Sequence, residues 1–197
     1  MFETLNSIDT QWFYFINHHH CTAMDYVMWF FSSKWCWFLA MLLAYLFTVF
    51  RGERKMWWLP LVAMGLCFLL ADQSSNLIKD TVCRLRPCWA LDDVVMFHTH
   101  KGGKYGFLSS HAANAFALVG FYWFRYRKWE GHTRWGALAV PIGLLVWALL
   151  TAYSRPYLGK HYPGDVICGA LLGLLIGYVV HLITRFVEKK LQKTETK

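Results

Sequence analysis

Residues 166–186 read VICGALLGLLIGYVVHLITRF, and Arg185 is the only Asp, Glu, Lys or Arg among them. A helix rises about 1.5 Å per residue, so about 20 apolar residues span the hydrocarbon core of a bilayer. This stretch therefore predicts a membrane-spanning helix, and it favours a helical membrane protein as the class of the whole chain.

The composition of the full chain supports the same class. Apolar residues make up 56% of the 197 residues and charged residues 16%, whereas about 25% is usual for charged residues in soluble domains. The 11 Trp, 15 Phe and 10 Tyr exceed what a core of this size buries, so many of them face lipid. The basic residues behind the net charge of +8 lie between apolar blocks. That pattern favours a membrane surface or a polyanionic head group as partner, and not nucleic acid.

Four further apolar segments predict membrane spans; they cover residues 35–50, 56–78, 112–124 with their flanks, and 135–153. The first 33 residues hold two shorter apolar segments, 8–16 and 24–31, separated by an Asn and three His. We interpret residues 1–33 as interfacial or re-entrant helices, with a sixth, imperfect span as the alternative. The sequence thus predicts an all-α integral membrane bundle of five to six transmembrane helices in residues 34–188, followed by a cytoplasmic basic tail at 189–197.

Basic residues also predict the orientation, because cytoplasmic loops are enriched in Lys and Arg. The loops that contain Arg51, Arg127 and Lys190 hold 12 of the 20 basic residues, and the opposite loops hold eight. We therefore expect a multi-pass protein of the cell inner (plasma) membrane. Its loops at 79–110 and 154–161 face the periplasm or the outside.

Six cysteines are spread along the chain without a C-x-x-C pair or a metal-ligand spacing to His. Three of them fall within apolar segments and are typical of small buried hydrophobic residues. Cys83 and Cys88 lie close together in one loop, and the sequence leaves open whether they pair.

Three polar segments adjoin the spans on the predicted outer side. The first, residues 79–87 (KDTVCRLRP), follows the second span. Upstream of it, Asp72, Asn76 and Lys79 are spaced i, i+4, i+7 and share one face of a helix, where polar groups at membrane depth face the bundle interior. Taken alone, Lys79 and Arg86 also fit a role as interface anchors.

The second polar segment is Ser109-Ser110-His111, immediately before the third span. Serine ahead of an apolar run is typical of a helix N-cap. By itself the segment fits a cap followed by a hydrogen-bonded structural histidine.

The third polar segment, residues 154–165 (SRPYLGKHYPGD), leads into the last span. Pro163 is favoured in the first turn of a helix, which places His161 at the helix start and Asp165 one turn later, within reach of the imidazole. Glycines at 169, 173 and 177 mark a close contact between helices, so we expect His161 and Asp165 to point into the bundle. A buried structural pair is the alternative.

The predicted topology brings the three polar segments together. The third and the last span both begin on the outer side, and helix N-termini bind anions through their free N–H groups. The same side holds the cations Lys79, Arg86 and Arg155 and the histidines His111 and His161. This combination predicts a site for a phosphate monoester or diphosphate at the level of the lipid head groups.

Together the segments resemble the three-part signature of the type 2 phosphatidic acid phosphatase family, which includes integral-membrane lipid phosphatases and soluble vanadium haloperoxidases. The first and third segments match in residue type and spacing, K-x6-R-P and S-R-x5-H-x3-D. The second departs, because the family's Pro-Ser-Gly-His reads Leu-Ser-Ser-His at 108–111. The short chain looks most like small bacterial members that act on undecaprenyl diphosphate or on lipid A phosphates.

The resemblance implies a role for each site residue. His161 is the expected nucleophile, Asp165 orients its ring, and His111 protonates the leaving oxygen and then activates water. The phosphoryl oxygens are expected to be held by Lys79, Arg86, Ser109, the backbone N–H of Ser110, and Arg155. Three cations would stabilise the developing charge, and the sequence shows no carboxylate cluster for Mg²⁺. We therefore expect a reaction without a metal or another cofactor.

The function expected from this resemblance is a lipid phosphatase that forms a phosphohistidine intermediate, with undecaprenyl diphosphate as the favoured substrate. The alternatives are a phosphatase of lipid A, of phosphatidylglycerophosphate or of phosphatidic acid. A lipid-phosphate transporter is the non-enzymatic alternative, although a transporter needs no His–Asp pair opposite a second His, and the spans show no internal repeat. A vanadate-dependent haloperoxidase is disfavoured because those enzymes are soluble.

Overall fold

The computed structural model describes residues 2–50, 56–126 and 134–195. Within these ranges the chain is almost entirely helical, with a single antiparallel bridge between Leu85 and Tyr105 and no β-strand. In chain order the helices are α1 (Phe2–Asn17), α2 (Thr22–Ser32), α3 (Lys34–Phe50), α4 (Trp58–Val82), α5 (Pro87–Ala90), α6 (Ser110–Tyr126), α7 (Arg134–Tyr157) and α8 (Pro163–Glu195). The prediction of an all-α bundle is confirmed.

Helix α6 forms the centre of the bundle. Every residue from Ala112 to Tyr122 is buried, and α6 packs against α4, α7 and α8. Four of these buried residues are alanines, and small side chains let helix backbones approach closely in a membrane. The helix that begins with the second polar segment is therefore held by three neighbours.

The glycines of α8 form the helix contact that their spacing predicts. A Cβ atom added to Gly173 would lie 2.2 Å from the carbonyl oxygen of Ala113, and one added to Gly177 would lie 2.2 Å from that of Ala117. No side chain fits in these gaps, because the backbones of α6 and α8 touch there. The predicted close contact is confirmed.

Large apolar side chains cover the outside of the bundle. Trp35, Phe38, Phe50, Leu171 and Phe186 are each exposed by 62% or more. Soluble monomers rarely leave apolar patches of this extent in water. This surface therefore faces lipid, and the chain is an integral membrane protein.

The number of spans differs from the prediction. Three helical segments are long and apolar enough to cross a membrane; they are Trp58–Val82, Leu138–Tyr157 and Pro163–Thr194. Helices α2 and α3 meet at a 61° bend and add a fourth span if the pair is taken as one. The predicted count of five to six is not confirmed, because α6 has only 17 residues and α1 and α2 are shorter still, whereas a full span needs about 20.

The N-terminal helices are fastened to the motif-bearing end of the bundle. Helix α1 contacts α7 and α8, and α2 packs against α7. Asn17, fully buried at the end of α1, donates its amide N–H groups to the carbonyl oxygens of Val95 and Tyr157, each at 2.9 Å. Its side-chain oxygen accepts the N–H of Val95 at 2.9 Å. The interfacial or re-entrant placement of residues 1–33 relative to the bilayer stays a prediction.

The opposite end of the bundle carries the residues used to predict the orientation. Helix α8 continues through the predicted tail as far as Glu195, and Arg125 of α6 pairs with Glu188 of α8 at 2.6 Å. Six of the basic residues counted for the orientation lie outside the described residues: Arg51, Arg54, Lys55, Arg127, Lys128 and Lys197. The orientation therefore stays a prediction.

Candidate active site

A cavity of about 510 Å³ lies where α4 and α7 end and α6 begins. Six of the residues predicted from the three polar segments line it: Lys79, Arg86, Ser110, His111, Arg155 and His161. Up to 82 residues separate these side chains in the sequence. The expected convergence of the three segments is confirmed.

Lys79 reaches the cavity from the last turn of α4. Its ammonium group donates to the Asn76 side-chain oxygen at 3.3 Å and also to the hydroxyl of Ser110. Asn76 in turn donates to Asp72 at 3.1 Å, and Asp72 lines the cavity. The polar face predicted for this helix end therefore exists, and it orients Lys79 toward the start of α6.

Arg86 is held by a short pairing between residues 84–86 and 104–106. Its backbone N–H donates to the carbonyl oxygen of Lys104, and its Nε donates to that of Tyr105, both at 3.0 Å. A Cβ atom on Gly106 would lie 2.9 Å from Cγ of Arg86 and 3.3 Å from a carboxylate oxygen of Asp165. Only glycine fits at this position, because the chain passes directly between the two side chains.

Arg155 lies in the last turn of α7 and is only 5% exposed. It donates to the hydroxyl of Ser32 at the end of α2. Its Nε is buried without a hydrogen-bond partner among the described residues, and such a buried donor is costly unless it is satisfied. A guanidinium in this state, on the wall of a cavity, is suited to bind an anion.

His161 lines the cavity, and Asp165 is buried beside it, as the spacing of the two residues predicts. They are 2% and 0% exposed, and Nδ1 of His161 lies 3.6 Å from Oδ2 of Asp165. This distance is longer than a hydrogen bond, although catalytic contacts often tighten only when substrate binds. Oδ2 of Asp165 accepts the backbone N–H of Tyr162 at 3.1 Å, which contributes to holding the carboxylate beside the imidazole.

The cavity keeps His161 uncharged. Burial, together with the positive charges of Arg155, Arg86 and Lys79, lowers the pKa of His161 well below its ordinary value of 6.5. A neutral imidazole retains the lone pair that a nucleophile needs. The second histidine, His111, also lines the cavity, and its ring lies 6.0 Å from that of Trp37.

The two serines of the second segment have different positions. Ser109 is fully buried, does not line the cavity, and accepts the N–H of Ala112 with its hydroxyl at 3.4 Å. It caps α6, as a serine before a helix is expected to do. Ser110 lines the cavity with its hydroxyl, 2.7 Å from that of Ser75. Of the two serines, only Ser110 lines the cavity, and a phosphate-binding role for Ser109 or Ser110 stays a prediction.

Sequence reasoning missed several residues around the cavity. Ser32, Lys34 and Trp37 line it from the bend between α2 and α3, and no local pattern announces them because their position depends on the bend. Arg84 is one of the eight basic residues in the predicted outer loops, and it also binds Asp165 at 2.6 Å. A signal for Arg84 existed: residues two apart in an extended segment share one side, and Arg86 lies two residues later.

All six cysteines are free, so Cys83 and Cys88 do not form a disulfide. Within residues 2–50, 56–126 and 134–195, no three His, Cys, Asp or Glu side chains lie close enough together to hold a metal ion.

Proteins of known families are similar to this chain over most of its length. Residues 57–189 match the PAP2 superfamily. A lipid A 4'-phosphatase of Bacteroides thetaiotaomicron is 35% identical over 98% of this chain and 84% of its own length. A lipid A 4'-phosphatase of Porphyromonas gingivalis is 30% identical over 95% of this chain and 78% of its own length.

Two solved structures share the fold. A transmembrane PAP2-type phosphatidylglycerolphosphate phosphatase from Bacillus subtilis superposes with a TM-score of 0.70 at 23% identity, over 95% of this chain and 87% of that one. Aquifex aeolicus LpxE superposes with a TM-score of 0.60 at 22% identity, over 87% of this chain and 93% of that one. Because the family match covers most of the bundle and includes the three polar segments that converge on the cavity, this chain belongs to the PAP2 superfamily and is an integral-membrane lipid phosphatase.

Proposed function

We propose that this protein removes the 4'-phosphate of lipid A by forming a phosphohistidine at His161. The observation that carries the reaction is that one cavity holds both histidines, His111 and His161, together with the cations of the three polar segments, Lys79, Arg86 and Arg155. A phosphate binding site alone would need the cations but no neutral, buried imidazole with a carboxylate beside it. The arrangement therefore favours phosphoryl transfer over transport.

The first chemical step is an attack by His161 on phosphorus. Nδ1 of His161 faces Asp165, which leaves Nε2 as the attacking atom. A bond forms between Nε2 and phosphorus while the bond from phosphorus to the lipid oxygen breaks. The negative charge of the bound phosphate offsets the cations around His111 and favours its protonated form, which donates a proton to that oxygen. Asp165 stabilises the positive charge that develops on the His161 ring.

The second step returns the enzyme to its starting state. His111, now neutral, takes a proton from a water molecule, and the resulting hydroxide attacks the phosphorus of the phosphohistidine. The bond from phosphorus to Nε2 breaks, inorganic phosphate leaves, and both histidines regain their original protonation.

Lys79, Arg86 and Arg155 would hold the phosphoryl oxygens during both steps. Positioned charges and donors of this kind supply most of the stabilisation that phosphoryl transfer requires. Ser110 adds a hydroxyl and a backbone N–H at the N-terminus of α6, where anions bind well. With three fixed cations present, we expect full activity in excess EDTA; inhibition that Mg²⁺ reverses would contradict this.

Two observations support lipid A as the substrate: the names of the relatives and the residues on the cavity wall. Both lipid A 4'-phosphatases align over nearly the whole of this chain, including α1 to α3. The α2–α3 bend places Lys34 and Trp37 on the cavity wall, where they are able to contact a sugar phosphate head group. These two relatives support lipid A, and not undecaprenyl diphosphate, as the substrate.

The second candidate substrate is phosphatidylglycerophosphate. The B. subtilis phosphatase with the matching fold is named for that lipid. Its 23% identity to this chain supports the shared architecture only, so we rank this substrate below lipid A.

We also propose that the cavity opens on the periplasmic side. The count of 12 basic residues against eight favours a cytoplasmic C-terminus, and three of the eight are proposed phosphate ligands with their own reason to lie outside. A C-terminal fusion is then expected to be fluorescent with a cytoplasmic reporter and inactive with alkaline phosphatase. The reverse pattern would place the site in the cytoplasm.

Phosphate release from purified protein in detergent tests the proposed function. The panel is lipid A, phosphatidylglycerophosphate, phosphatidic acid and undecaprenyl diphosphate, each with His161→Ala as the control. We expect the highest kcat/KM for lipid A and loss of its 4'-phosphate in the product. A higher kcat/KM for another lipid would overturn the substrate, and the absence of release from all four would overturn the reaction.

A further inference from the structure

Helix α1, which precedes the region matched to the family, contacts the catalytic end of the bundle through Asp9. The two carboxylate oxygens of Asp9 have separate partners. Oδ1 accepts the backbone N–H of Gly164 at 2.7 Å, and Oδ2 accepts a hydrogen bond from Arg84 at 2.7 Å. Asp9 therefore links α1 both to the start of α8 and to the loop after α4.

Arg84 continues this link to the catalytic carboxylate. Its Nη2 binds Asp9, and its Nη1 binds Oδ1 of Asp165 at 2.6 Å. The guanidinium carbon lies 4.0 Å above the ring of Tyr162, and Nη2 also donates to the side chain of Asn6 at 2.9 Å. Because a guanidinium is planar and presents several donors, contacts on two edges and one face fix its orientation.

The fit at Gly164 shows that the position of Asp9 is specific. A Cβ atom on Gly164 would lie 2.8 Å from Oδ2 of Asp9. Any larger residue at 164 would push the carboxylate away from Arg84. The first turn of α8 is therefore shaped to receive this side chain of α1.

The two carboxylate oxygens of Asp165 have different contacts. Oδ1 is held by Arg84, and Oδ2 accepts the backbone N–H of Tyr162 and faces Nδ1 of His161 at 3.6 Å. Without Arg84, rotation of the carboxylate would move Oδ2 away from the imidazole. The orientation of the His161 ring therefore depends on a chain that begins on α1.

We propose that Asp9 and Arg84 are positioning residues for the phosphatase reaction: they hold Asp165 in the orientation that keeps His161 ready to attack phosphorus. This inference rests on the proposed function of His161 and Asp165. It gives α1 an indirect part in catalysis, through Arg84 and Asp165.

The charge on Arg84 is stable enough for this role. Burial opposes the charge, but the carboxylates of Asp165 and Asp9 outweigh burial and raise the pKa of Arg84 above its ordinary value. Helix α1 is also anchored independently, through Asn17 and its bonds to Val95 and Tyr157. A conservative change at Asp9 is therefore expected to leave α1 in place.

The test compares Asp9→Asn with Glu3→Gln, which removes the same charge from an exposed position on the same helix. Asp9→Asn keeps an oxygen for the N–H of Gly164 and loses the ion pair with Arg84. We expect kcat to fall about 10–100-fold, by analogy with the loss of an outer hydrogen-bond partner of a metal-ligating residue. KM should stay unchanged, and Glu3→Gln should match the wild-type protein in both constants.

A double-mutant cycle separates positioning from partial unfolding. In an Asp165→Asn background, Asp9→Asn should cause no further loss, because the group that it positions is already inactive. A variant that merely lost folded protein would lose the same factor in both backgrounds. Equal losses in both backgrounds, a raised KM with unchanged kcat, or wild-type kinetics would each overturn the inference.

The same measurements distinguish this inference from the proposed function. A wild-type protein that releases no phosphate from any lipid of the panel would overturn both. An active wild-type protein with an unaffected Asp9→Asn variant would overturn the inference alone.

Discussion

The family-matched core and the N-terminal helices contribute to the site in different ways. In the core, residues 57–189, reactive side chains lie at helix ends, as His111 does in the first turn of α6 and Arg155 in the last turn of α7. The N-terminal helices supply Lys34 at a bend and Asp9 from the face of a helix. In the proposed mechanism, the core holds the groups that react, and the N-terminal helices position and surround them. Variants in the two regions should therefore change kcat and KM by different factors.

The largest effect is expected at Asp165 in the core. Asp165→Asn keeps the size of the side chain but removes the charge that stabilises the His161 ring. We expect kcat to fall by up to about 10⁴-fold, as when the buried aspartate of a Ser–His–Asp triad is replaced, with KM nearly unchanged. Steady-state phosphate release measures both. A weakened KM with wild-type kcat would instead make Asp165 a substrate ligand.

The next effect is expected at Arg155, where the two regions meet. Arg155→Gln removes a buried cation from the cavity and should lower kcat about 10²–10³-fold, the cost of losing one donor to the developing charge. Ser32→Ala removes only the α2 partner of Arg155 and should have a much smaller effect. Comparable losses in the two variants would show that the N-terminal contact, and not the cation itself, determines the rate.

A smaller effect is expected in the pH dependence of kcat/KM. The pKa of His161 lies well below 6.5 because of burial and the charges of Arg155, Arg86 and Lys79, so the free enzyme keeps its nucleophile neutral into mildly acidic solution. In a plot of kcat/KM against pH, which reports the free enzyme, the acidic fall due to His161 should lie below pH 6.5. Arg86→Gln should shift that fall upward. An acidic fall above pH 6.5 would contradict this electrostatic account.

The smallest effect is expected at Lys34 on the cavity wall. Lys34→Gln should raise KM by up to about fivefold, the size expected for an exposed ion pair, and leave kcat unchanged. Lys104→Gln is the matched control, because Lys104 is an exposed lysine on a nearby loop that does not line the cavity. A drop in kcat at Lys34 would place the N-terminal bend within the reacting machinery and remove the distinction between the two regions.

Most site residues of the family-matched core could be predicted from the sequence, whereas those of the N-terminal helices could not. His161 and Asp165 were predicted because Pro163 marks a helix start and fixes their spacing, and Gly173 and Gly177 because small residues four apart indicate a helix contact. Both signals are local. Helices α2 and α3 both pack against α7 and meet at a 61° bend that no residue pattern marks, so the approach of Lys34 to the cavity has no local signal.

The relatives favour the alternative substrate over the main one, for a related reason. The residues that read the phosphate lie in motifs with recognisable spacing, and the reaction class follows from them. The residues that we propose to face the rest of the head group, such as Trp37, lie near the bend on the cavity wall and have no motif. The sequence therefore identified a lipid phosphatase but favoured undecaprenyl diphosphate, whereas the relatives favour lipid A.

Trapping the covalent intermediate tests the central claim most directly. Lipid A with a radioactive 4'-phosphate is mixed with the protein in detergent, the reaction is stopped with denaturant during turnover, and the label is located by peptide mapping. We predict acid-labile, base-stable label on His161, and neither label nor phosphate release with folded His161→Ala. Label on another residue, or substantial phosphate release by His161→Ala, would contradict the account.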